Sequence, residues 1–102
     1  YNAAGNINIE AVQNQADLIE QLANLQLEIG KAKSAGALDE DIAIDAEYQV
    51  QKAIQAAKKP KPDKTTFLDH IGKAKGLLED VTAAAGLVSA LLKASEIAQN
   101  LF

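Results

Sequence analysis

Few residues in this chain have the type and spacing to do chemistry. His70 is its one imidazole and directly follows Asp69. An aspartate beside a histidine can polarise the ring as a base, but a base works only on a positioned nucleophile or substrate proton. No Ser, Cys or second His stands in a nucleophile motif, so His70 reads as a solvated helix residue. Glu40, Asp41 and Asp45 form a carboxylate cluster, and Glu79-Asp80 a shorter one. Calcium loops need oxygen donors at alternating positions with a Gly at the turn, and the first cluster lacks that spacing. Carboxylates gathered where a helix begins have a simpler role, offsetting the positive end of its dipole. Phosphate loops, dinucleotide fingerprints and zinc spacings are missing from the sequence. The expectation is a protein that is not an enzyme, with no catalytic residue, no cofactor and no metal.

Composition points the same way. Of 102 residues, 48 % are hydrophobic, enough for a core. The apolar set is Ala, Leu, Ile and Val with few aromatics, which suits helix packed on helix. The net charge is −4 with acidic and basic residues interspersed, which opposes nucleic-acid binding and gives no polybasic membrane anchor. Val81 to Leu92 carries no charge, yet it is much shorter than the roughly 20 apolar residues that cross a bilayer. No nucleic acid and no membrane is expected as a partner. With no Cys there are no disulfides. No signal peptide is visible, so a cytoplasmic location is expected, and the lack of any Met suggests a piece excised from a longer protein or processed.

The elements that would carry these residues read as helices. Residues 1–9 read as an extended tail or linker, in which Asn6-Ile7-Asn8-Ile9 alternates with the period of a strand. A helical domain then fills 10–102. Its first helix is expected from about Glu10 to Lys33, with Leu18, Leu22, Leu25 and Ile29 as its apolar stripe and Val12, Ile19 and Leu27 widening it. The second is expected from Asp39 to Lys59, burying Ala43, Ala46, Val50, Ile54 and Ala57, with Ile42 and Tyr48 beside them. Pro60-Lys61-Pro62 stops it. The third starts after Asp63, and two rows run along it. One is Phe67, Ile71, Ala74, Leu78, Val81, Ala85, Val88, Leu92 and Ser95; the other is Leu77, Ala84, Leu91 and Ala98. The fold expected is all-α, an antiparallel helical bundle of three long helices, the third either continuous or broken near Thr82 to Gly86. Gly72 and Gly76, one turn apart, suggest a small-residue groove against another helix. Ile29-Gly30-Lys31-Ala32-Lys33 recurs as Ile71-Gly72-Lys73-Ala74-Lys75, either a trace of a duplicated hairpin or a coincidence of composition.

The order of features, a GNINI stretch, two helices, a Lys/Pro/Asp linker and the tail LLEDVTAAAGLVSALLKASEIAQNLF, resembles helical effector-associated or adaptor-type regions of modular bacterial, often cyanobacterial, signalling proteins. The resemblance implies an adaptor or self-association domain and carries over no catalytic residue. A continuous third helix would be about 55 Å long against about 30 Å for the second at 1.5 Å per residue. That mismatch leaves apolar surface uncovered, placed on Val88, Leu91, Leu92, Ile97, Leu101 and Phe102. It implies a homo-oligomer or docking to another helical protein. The alternatives are a structural subunit of a filament or polymer and a membrane-active amphipathic helical protein.

Overall fold

The computed structural model describes Ile7 and residues 9–102. Among these residues the chain is all-α, without strands, and has four helices: α1 Gln15–Ser34, α2 Glu40–Lys58, α3 Lys64–Leu78 and α4 Ala85–Leu101. Short 3₁₀ turns at Ile9–Ala11 and Thr82–Ala84 precede α1 and α4. Asn6 and Asn8, half of the alternating tail motif, lie outside the described residues, and Ile9 belongs to a 3₁₀ turn.

Local chemistry sets the ends of the first three helices. Asn14 caps α1, its side chain accepting the Asp17 N–H at 2.9 Å, while the Asp17 carboxylate accepts the Gln13 N–H at 3.1 Å. This pair starts α1 five residues later than Glu10. At the other end Gly36 adopts φ 76°, Ala37 N–H reaches Ala32 O at 2.8 Å and Gly36 N–H reaches Lys33 O at 3.1 Å. These two bonds close the helix with a left-handed residue that a side chain would strain. Asp39 caps α2 through the Asp41 and Ile42 N–H groups. Asp63 caps α3 through the Thr66 N–H at 3.1 Å and the Thr66 hydroxyl at 2.8 Å.

The core is built on the expected stripes. Leu18, Leu22, Leu25 and Ile29 of α1, Ala43, Ala46 and Val50 of α2, and Phe67, Ile71, Ala74 and Leu78 of α3 are buried. Contacts along α1 and α2 run in opposite order. The Gln15 side chain bonds Ala57 O near the end of α2, Gln26 Nε2 reaches Glu47 O at 3.2 Å, and Lys33 meets Glu47 at 3.8 Å. Each helix packs on the next in the chain, and α1 also meets α4.

The third long helix does not exist as one rod. It stops at Leu78, and Val81 turns to an extended conformation (φ −98°, ψ 108°) before α4 begins. Asp80, Val81 and Thr82 are weak helix formers, and no Gly or Pro is needed to break there. The break also reconciles the two apolar rows. Leu78 and Leu87 are both fully buried, yet they lie nine positions apart and would point to opposite sides of one continuous helix, about 180° at 3.6 residues per turn. Before the break the Phe67–Leu78 row is buried; after it the row Ala84, Leu91 and Ala98 is buried, with Leu87 and Ala94. The chain thus shelters most of its own tail, and the length mismatch that required a partner disappears.

Two measurements check this architecture. Leu91→Ala is expected to cost about 2–5 kcal/mol in urea unfolding and Leu92→Ala within about 0.5 kcal/mol; equal small losses would contradict the packing of α4. The bonds from the Thr66 N–H and then the Thr66 hydroxyl hold the Asp63 carboxyl below its ordinary value. A carboxyl depressed in the folded state stabilises fully above its unfolded pKa and loses that contribution as pH falls through the folded one. Asp63→Asn should therefore flatten part of the acid limb of a stability–pH curve, and an unchanged limb would contradict this role.

Candidate functional site

The residues singled out for chemistry are placed apart. Asp69 does not orient His70; it pairs with Lys73 one turn on, at 3.1 Å. His70 is half-buried rather than freely solvated, and its Nδ1 lies 2.6 Å from Gln49 Oε1. With the amide oxygen accepting, Nδ1–H donates, so the ring ties α3 to α2. Of the acidic cluster, Glu40 and Asp41 lie in the first turn of α2 behind the cap Asp39, while Asp45 stands exposed a turn further along. Glu79 pairs with Lys75 at 3.4 Å. Two other carboxylates sit deeper. Glu28 is 2 % exposed and reaches Lys31 at 3.3 Å. Glu47 Oε1 is enclosed, with the Lys33 ammonium at 3.8 Å, a long ion pair rather than a hydrogen bond. Among the described residues no group of three or more His, Cys, Asp or Glu side chains is placed to hold a metal ion.

The surface residues assigned to partner binding do not form one patch. Leu91 is fully buried in the core of its own chain. Phe102 is half-buried and meets Phe67 edge to face, ring centroids 5.1 Å apart at 81°, so it closes the array from within. Val88 and Ile97 are half-buried against the core. Leu92 and Leu101 remain exposed, at 47 % and 37 %. They are nine positions apart on α4, about 180° around the helix, and so flank its buried stripe on different sides.

The larger exposed apolar groups are elsewhere. Leu27 is 62 % exposed, Tyr48 55 % and Ile44 49 %. Sequence spacing puts Leu27 on a buried face and Tyr48 beside one, and the structure exposes both. Simple helical arithmetic could have found Leu27, which stands nine positions after the buried Leu18 and so faces away, about 180° round α1. It lines a groove between α1 and α2 with Ala23, Gln26, Gly30, Lys33 and Glu47. A second groove, between α2 and α3, is lined by Asp45, Tyr48, Gln49, Lys73, Gly76 and Leu77. The outer edge of α2 between these grooves carries Ile44 and Tyr48, with the Lys52 ammonium 5.4 Å from the Tyr48 ring centroid. No helix among the described residues is long and apolar enough to cross a membrane.

Comparisons with family models, with curated proteins and with solved structures find no match to this chain.

The His70–Gln49 bond gives a direct test. Removing either partner leaves a half-buried polar group without its bond, a loss of about 1 kcal/mol. A double-mutant cycle of His70→Leu and Gln49→Leu should show coupling near that size, while Asp69→Asn should show none with His70. Coupling through Asp69 instead would restore the Asp–His pairing that the geometry denies.

Proposed function

We infer that this antiparallel helical bundle is a non-catalytic protein–protein interaction and self-association module of a larger bacterial signalling or defence protein. The resemblance supplies the parent context. One observation carries the binding reading: large apolar side chains that could have been buried are spent on the outer faces, Leu27, Ile44, Tyr48 and Leu92 foremost. Single exposed apolar residues need no explanation, but Ile44 and Tyr48 are adjacent at i,i+4, and Leu27 and Tyr48 each line a groove.

Magnitudes say how much surface must take part. Covering the exposed half of a Leu, Ile or Tyr gains about 1 kcal/mol. A micromolar complex needs about 8 kcal/mol net, beyond the cost of lost rotational and translational freedom. No single side chain suffices, so a working interface has to cover several of these residues and the groove walls around them.

The experiment is a mass determination by sedimentation across a concentration series, with circular dichroism as the fold control. Self-association that is weakened by at least one of Leu27→Asp, Ile44→Asp or Leu92→Asp, at unchanged helicity, is the expected result. A discrete mass fits a closed module, and an open series of masses fits the polymer-subunit alternative. A chain that stays monomeric at every concentration, whatever the variant, removes the self-association part of this reading.

A further inference from the structure

The outward stripe of α2 is arranged symmetrically in charge about an apolar centre. Asp41, Ile44, Asp45, Tyr48, Lys52 and Gln55 recur at helical spacing along one side of the helix, exposed except for the half-buried Lys52. Charge divides this helix into halves: Glu40, Asp41 and Asp45 before Tyr48, Lys52 and Lys58 after it. Alongside the stripe runs the groove lined by Tyr48, Gly76 and Leu77. A Cβ added at Gly72 or Gly76 meets nothing within 4 Å, so the small-residue turn noted in the sequence is covered by no other helix among the described residues.

A surface of this kind is complementary to itself when turned through half a revolution. Run antiparallel about Tyr48, two copies of the stripe set Asp45 against Lys52 on both sides of the axis, since 45 and 52 lie almost equally far from 48. Run parallel, the same stripes set Asp45 against Asp45 and Lys52 against Lys52. A two-fold contact uses the same patch on both partners, so a patch with an acidic half, an apolar centre and a basic half fits a second copy of itself. The Tyr48 ridge beside a groove lined by Gly76 also supplies the shape, ridge into groove, by which helical surfaces interlock.

Resting on the self-association reading above, we propose that a second copy of this chain docks on the α2–α3 face, antiparallel along α2, around a two-fold axis near Tyr48. Tyr48 and Ile44 are its apolar centre, and the Asp45–Lys52 pairs set its direction.

Sedimentation of the full chain at low ionic strength, where exposed charge pairs are least screened, tests this. Wild type is expected to form a dimer, and Tyr48→Asp to be monomeric with unchanged helicity. Asp45→Lys and Lys52→Asp should each weaken the dimer about tenfold or more, equivalent to about 1.4 kcal/mol. The double variant Asp45→Lys/Lys52→Asp restores opposite charges across the axis and should recover the dimer; Leu92→Asp should leave it intact. A Tyr48→Asp chain that keeps the dimer mass, or a double variant that does not recover, overturns the proposed face. If Leu27→Asp or Leu92→Asp dissociates the dimer while the α2 variants do not, this face is wrong and self-association stands. If wild type is monomeric throughout, self-association falls together with it.

Discussion

Everything in this fold hangs on the narrowness of α2. It buries five alanines, Ala43, Ala46, Ala53, Ala56 and Ala57, with only Val50 and Ile54 as larger buried groups. Methyl groups let neighbouring backbones come close, and both α1 and α3 pack against this helix. The bulk of the core comes from the neighbours: the leucines and Ile29 of α1, and Phe67, Ile71 and Leu78 of α3. Large side chains opposite small ones fill the space between helices at native density, which four uniformly leucine-faced helices would not do. The same narrowness leaves the outer edge of α2 at the surface, where Ile44 and Tyr48 stand between the grooves on either side.

What the sequence disclosed was set by how local each signal is. The stripe Leu18–Ile29 has a single period and no competitor, and its burial follows. The stop at Pro60-Lys61-Pro62 and the caps at Asp39 and Asp63 need only a few residues of context. Between Phe67 and Ala98 two apolar rows of the same spacing coexist, and nothing local says which one faces inward. That choice is made by packing against the other helices, which favours one row before Leu78 and the other after it. A partner surface on Leu91 and Phe102 belongs to the continuous alternative for the third helix; the break turns both toward their own core. Tyr48 and Leu27 were overlooked because an apolar residue near a stripe looks buried unless its angle around the helix is worked out.

The polar contacts orient helices more than they hold them together. The pairs Lys73–Asp69 and Lys93–Glu96 each join residues of one helix at exposed positions, and Lys75–Glu79 joins α3 to its own C-cap, places where an ion pair contributes little. Register between helices is marked by amides and a ring, Gln26 on Glu47 and Gln51, Gln15 on Ala57 and His70 on Gln49, together with Lys33 beside Glu47 and Lys64 on Gln99 O. Such bonds are weak in sum but directional, and a helix slipped by one turn would lose them together.

The starts of the helices differ in one further respect. Asn14, Asp39 and Asp63 hold the first turns of α1, α2 and α3 with side-chain bonds, whereas Ala84 offers α4 no side chain for that purpose. A first turn without such help is costly to nucleate, and a helix of this length is marginal alone. The closing helix therefore owes its order to the platform built by the other three. The missing cap costs α4 about 1 kcal/mol, so its first turn is held by the burial of Ala84 and Leu87 instead of by a side-chain bond.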